Sequence, residues 1–110
     1  MTEKSTHILD MLAEVIAQRA TDTAENSYTA HLLANAPALP ARKLAEEATE
    51  TRIEALAGNQ QTLAEESADL LYHLLVVWQA AGITPQQVWD ILQARQGISG
   101  HDEKASRPHR

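Results

Sequence analysis

The sequence has no cysteine and no phenylalanine, and only four glycines and four prolines in 110 residues. Without cysteine, disulfides and Cys-ligated zinc are excluded. Aromatic and β-branched residues are sparse, which argues against a sheet. No apolar run approaches the ~20 residues a bilayer span needs; the longest is Leu74 to Trp78. Met1 to Asp10 is polar and lacks the apolar core of a signal peptide. A cytoplasmic protein with no membrane partner is expected. Positive charge is also short: nine Lys and Arg against fifteen Asp and Glu give a net charge of −6. That balance argues against non-specific nucleic-acid binding, which rests on neutralising phosphates. It leaves room for a phosphorylated small molecule, provided divalent cations separate the two sets of negative charge.

What remains is rich in Ala, Leu, Glu and Gln, all good helix formers. One all-α domain is expected, folded as an antiparallel helical bundle over residues 1–96, with a basic, mobile tail at 97–110. A first helix is read from about Ser5 to Arg19 on the spacing of Ile8, Leu9, Leu12, Val15 and Ile16. Tyr28 to Asn35 forms a short helical turn. Pro40 suits the first turn of a second helix that Gly58 stops, and Asn59 to Thr62 reads as a turn. A third helix runs from about Leu63 to Ala81 and ends at Gly82. Thr84 caps a fourth, which opens with Pro85 and continues to about Gln96.

The short link between the second and third helices makes them antiparallel neighbours whose inward faces meet. At ~100° per residue, Lys43, Glu46, Glu47, Glu50 and Glu54 fall within an arc of about 100° on the second helix. On the third, Glu66, Asp69 and His73 cluster within about 60°. The apolar residues from Leu70 to Trp78 lie on nearly every side, so Glu66 and Asp69 are expected at a buried or partly buried seam. Unpaired carboxylates there would be costly, which calls for a cation. An all-oxygen ligand set favours Mg²⁺, with Mn²⁺ as a substitute, over zinc. Metal-assisted attack on a phosphoanhydride follows. A Glu-rich helix face is also, in the plainest reading, solvated surface.

The segments Lys43-Leu-Ala-Glu46-Glu47-Ala-Thr-Glu50 and Glu66-Ser-Ala-Asp69-Leu-Leu-Tyr72-His73 resemble the phosphoribosyl-ATP pyrophosphohydrolases of histidine biosynthesis. More broadly they match the paired E-x-x-E and E-x-x-D motif of the MazG-type all-α NTP pyrophosphatases. Ser27-Tyr28-Thr29-Ala30 with Leu32-Leu33, and Arg95, Ser99-Gly100 and Glu103-Lys104-Ala105, look like the histidine family in particular. The resemblance covers roughly Ser27 to Arg107. It implies an intertwined homodimer, Mg²⁺ dependence, and cleavage of phosphoribosyl-ATP to phosphoribosyl-AMP and pyrophosphate. A functional link to a phosphoribosyl-AMP cyclohydrolase is implied with it. Glu47, Glu50, Glu66 and Asp69 match the superfamily's metal ligands. Glu46 is the additional acidic position, an outer ligand or the base that orients water, so Glu46 and Glu47 are the catalytic candidates. His31 departs from the pattern, standing where a Lys is expected.

Tyr28, Thr29, Lys43, His73, Arg95, Lys104 and Arg107 are candidates for contact with substrate. Each has a plainer reading. Tyr28 and Thr29 can simply cap and pack the short turn, and Lys43 can pair with Glu46 and Glu47. His73 can be a satisfied core histidine, and Lys104 and Arg107 can be solvated. The segment after Gly97 is expected to order over the triphosphate. A house-cleaning NTP pyrophosphatase would share the acidic motif, but the Ser-Tyr-Thr-Ala segment and the tail argue against it. A non-catalytic dimerisation module would bind no metal and release no pyrophosphate.

Overall fold

The computed structural model describes residues 7–97, and they form five α-helices: α1 (Ile8–Arg19), α2 (Tyr28–Ala34), α3 (Ala38–Ala57), α4 (Gln60–Ala81) and α5 (Pro85–Arg95). No strand occurs among the described residues, as the helix-forming composition requires. No helix among them is long and apolar enough to cross a membrane.

The helix ends follow side-chain chemistry. Ser27, Asn59 and Thr84 each accept a hydrogen bond from a backbone N–H of the following first turn. Thr84 completes a capping box with Gln87, and Pro85 occupies the first turn. Pro40 lies in the first turn of α3, as its fixed φ favours. Gly82 ends α4 at φ 77°, where its own N–H bonds the Gln79 carbonyl and that of Ile83 bonds the Trp78 carbonyl. That pairing satisfies carbonyls the helix would otherwise leave open.

Three elements differ from the sequence reading. Helix α1 begins at Ile8 rather than near Ser5, with the His7 side chain accepting from the Leu9 N–H. Helix α4 begins at Gln60 rather than near Leu63, because the Asn59 side chain caps Thr62 N–H and turns the polar run 60–62 into a first turn. The short turn at Tyr28 is a seven-residue helix in its own right.

Helices α3 and α4 form the most closely packed pair, and α1 and α2 lie against α4. Ile16, Leu32, Leu75 and Val76 make the core, flanked by Leu9, Leu12, Leu33, Leu39, Tyr72 and Trp78. Helix α5 contributes no buried residue. It is tied back by Trp89, which donates from Nε1 to Asp10 Oδ1 at 2.9 Å and meets Trp78 edge to face at 5.8 Å. The apolar positions of α4 are less covered than an all-round hydrophobic helix implies, and Leu71 remains 42% exposed.

Candidate metal and active site

The carboxylates stand where α3 and α4 run side by side. Glu47 is half-buried and points into the seam, as do Leu44, Thr51 and Glu54. Glu46 lies ~100° round the helix from Glu47, and it is exposed. Its carboxylate pairs with Lys43 Nζ at 3.3 Å and with Arg42 Nε at 3.6 Å. Lys43 thus adopts the intrahelical pairing that its spacing allows.

Across the seam α4 presents Glu66, half-buried, and Asp69, which is exposed rather than buried. One carboxylate oxygen from each of Glu47, Glu66 and Asp69 lies within 4.8 Å of the others. Glu50 is exposed and lies outside that group of three, but it stands close enough to act electrostatically on both Glu47 and Glu66. Like charges so close resist ionising together. A hydrogen bond with the Glu50 carboxyl, then burial, then Glu47, push Glu66 up to about 7. Burial foremost raises Glu47 as well.

The residues fit a hard cation. Oxygen ligands of an octahedral Mg²⁺ stand about 3 Å apart when adjacent and about 4.2 Å when opposite. Rotation of the flexible carboxylate side chains would bring oxygens that lie within 4.8 Å of one another to those values. Two buried oxygens, Glu47 Oε2 and Glu66 Oε2, have no hydrogen-bond partner, and such atoms are costly unless a cation or water satisfies them. The donor set is oxygen alone, which suits Mg²⁺ or Mn²⁺.

One face of the group is closed by a small aromatic cluster. His73 is 5% exposed, with Nε2 3.9 Å from Glu47 Oε1. Burial foremost holds its pKa below the usual histidine value. Tyr72 packs edge-on against it at 5.0 Å and Tyr28 at 6.3 Å. Thr29 is buried, and its hydroxyl hydrogen-bonds the Tyr72 phenol at 2.5 Å. Tyr28 stays half open to solvent beside the carboxylates, with the His31 ring 6.4 Å away. Arg95 ends α5, outside this group. Lys104, Arg107 and the tail segment lie outside the described residues.

Two contacts at the site carry no signal in one-dimensional spacing: the Thr29–Tyr72 bond, 43 residues apart, and a bridge by Thr51 between α3 and α4. A separate apolar cleft of about 530 Å³ lies between α1, the end of α4 and the start of α5, lined by Ala13, Leu75, Trp78 and Ile83 among others. It holds none of the paired carboxylates.

Comparison with known proteins assigns the chain to a family. Residues 9–96 match the family model described as phosphoribosyl-ATP pyrophosphohydrolase. A phosphoribosyl-ATP pyrophosphatase of Caulobacter vibrioides is 50% identical over 107 residues, 97% of this chain and 99% of its own length. One of Azospirillum brasilense is 47% identical over 103 residues, 94% of this chain and 93% of its own. One of Granulibacter bethesdensis is 46% identical over 105 residues, which cover 96% of this chain and 66% of that longer relative. With its helical core and both acidic pairs inside the matched span, the chain belongs to the phosphoribosyl-ATP pyrophosphohydrolase family.

Proposed function

We propose that this protein hydrolyses phosphoribosyl-ATP to phosphoribosyl-AMP and pyrophosphate, the second step of histidine biosynthesis, in the cytoplasm and with Mg²⁺. The observation that carries the reading is the group of Glu47, Glu66 and Asp69 oxygens, two of whose carboxylates keep a buried oxygen unpartnered. Its setting is a chain whose relatives bear the name phosphoribosyl-ATP pyrophosphatase.

Glu47, Glu50, Glu66 and Asp69 would hold the cation. When bound, it would neutralise phosphate charge and acidify a water for attack. The side chains around it have separable tasks. Glu46, held at the rim by Arg42 and Lys43, would serve as an outer ligand or as the base that orients that water. Lys43 sets a positive charge beside the acidic group for an outer phosphate. Tyr28 offers an exposed ring edge to the nucleotide, and Thr29 holds the start of α2 behind it. His73 stays neutral and backs Glu47. Arg95, Lys104 and Arg107 supply further charge for the phosphates.

We infer a homodimer as well. Ile8, Met11 and Val15 form a stripe on α1 that is 68%, 46% and 44% exposed, and Ile91 and Leu92 on α5 are 50% and 53% exposed. So much apolar surface suits a second copy.

The test is pyrophosphate release from phosphoribosyl-ATP with Mg²⁺ and with EDTA, beside a panel of ordinary and damaged nucleoside triphosphates. Mg²⁺-dependent release from phosphoribosyl-ATP with little from the panel is expected. Preference for the panel would make this a house-cleaning enzyme, and no release at all would remove the hydrolase reading.

A further inference from the structure

For three carboxylate oxygens from two helices to come within 4.8 Å, the backbones of α3 and α4 must approach closely at that level and stay in register. Carboxylates reach out on flexible side chains of fixed length, so the backbone spacing limits how near their oxygens can come and how much rotamer freedom is lost in bringing them together. The side chain at the point of approach is Thr51, one turn after Glu47 and half-buried in the seam.

The Thr51 hydroxyl donates to the Glu47 carbonyl oxygen at 2.7 Å and stands 3.3 Å from the Glu66 carbonyl oxygen on the facing helix. Donation to the carbonyl one turn back is a common habit of threonine in helices, and alone it would mean nothing. The second acceptor is different. It lies 15 residues on in sequence, and both carbonyls belong to residues whose carboxylates meet above them. One proton shared by two carbonyls draws the helices together where their oxygens would otherwise repel. A second hydroxyl bond, Thr62 Oγ1 to Glu54 Oε2 at 2.5 Å, pins the same helix pair at its turn. Register is thus held at the turn and again at the carboxylates.

We propose that Thr51 is a positioning residue that sets the separation of Glu47 and Glu66 for a divalent cation. The proposal rests on the reading of that acidic group as a cation site. Thr51 touches no ligand itself, so its effect passes through the two glutamates. Loss of an outer contact that orients metal ligands typically weakens metal affinity by about 10- to 100-fold, and a bond as long as 3.3 Å sits at the lower end of that range.

The experiment compares wild type with Thr51→Val, which keeps the shape and removes the hydroxyl, and Thr51→Ser, which keeps the hydroxyl. Thr51→Ala gives the same comparison if Val does not fold. Mn²⁺ binding to the substrate-free protein is measured by titration calorimetry, alongside thermal melting and the Mg²⁺ concentration for half-maximal turnover. Thr51→Val should bind Mn²⁺ about tenfold more weakly and shift the Mg²⁺ requirement by the same factor. Its kcat at saturating Mg²⁺ should stay within about twofold of wild type, and Thr51→Ser should match wild type in both. Unchanged Mn²⁺ affinity in Thr51→Val, or equal losses in Val and Ser, would overturn the proposal alone. Wild type that binds no Mn²⁺ would overturn the cation site beneath it.

Discussion

His73 Nε2 stands 3.9 Å from Glu47 Oε1, with the histidine 5% exposed. This contact does not neutralise the carboxylate, because burial above all lowers the His73 pKa and keeps the imidazole neutral near pH 7. Lys43 and Arg42 are engaged by Glu46. Compensation of the inner carboxylates therefore falls to protons or to a bound cation, and the two compete.

That competition predicts a pH effect at Glu66, whose folded pKa is about 7 against an ordinary 4.5. A raised pKa stabilises the fold below the ordinary value, and that stabilisation is lost as pH rises through the folded one. In EDTA, Glu66→Gln should melt near wild type at pH 4.5 and above it at pH 8. Mg²⁺ should then raise the melting point of wild type at pH 8 and leave the variant unmoved. A variant that melts below wild type at pH 8 in EDTA would contradict the crowding of these carboxylates.

Asp69→Asn, Glu47→Gln and Glu50→Gln should each lower kcat/KM at least about 100-fold, because an amide is a poor Mg²⁺ ligand. Far-ultraviolet circular dichroism should show the helices intact. If any two of the three retain near-wild-type rates, the ligand assignment is wrong.

The exposed stripe of Ile8, Met11 and Val15 predicts self-association. Sedimentation at micromolar concentration should show a dimer, with a melting point that rises with protein concentration. A compact monomer that melts independently of concentration would remove this prediction.

Much of the site was legible because helical periodicity is rigid. The three-residue spacings of Glu47 and Glu50, and of Glu66 and Asp69, place each pair over one turn, and a link of Gly58 and Asn59 can only fold the helices back on each other. Periodicity gives angles but not the direction of the neighbour. Glu46 shares an arc with Glu47, yet α4 packs on the Glu47 side, so Glu46 turns to Arg42 and Lys43. Nor does it reveal depth, since Asp69 is exposed while Glu66 is half-buried. Thr51 and Tyr72 acquire their partners only when α3, α4 and α2 dock, so no spacing rule could have singled them out.

The bond between Thr29 Oγ1 and the Tyr72 phenol, at 2.5 Å, is the clearest side-chain tie between α2 and α4. Thr29 is 8% exposed, and a seven-residue helix depends on tertiary contacts to hold it. Thr29→Val and Tyr72→Phe each remove one half of the pair with little change of shape. Each should cost about 1 kcal/mol of stability, as for a typical intramolecular hydrogen bond. The double variant should lose scarcely more than either single one, because the second change removes a group already without its partner. Function should follow through the neighbour. Tyr28 precedes Thr29 and reaches the His73 ring at 6.3 Å, so loosening the start of α2 releases the ring proposed to meet the nucleotide. Both variants should raise KM for phosphoribosyl-ATP severalfold, with Mn²⁺ affinity unchanged. Denaturant unfolding and initial-rate kinetics on the four proteins of the cycle decide it. Additive losses would mean that the two hydroxyls act separately, and unchanged KM would leave the bond a purely structural tie.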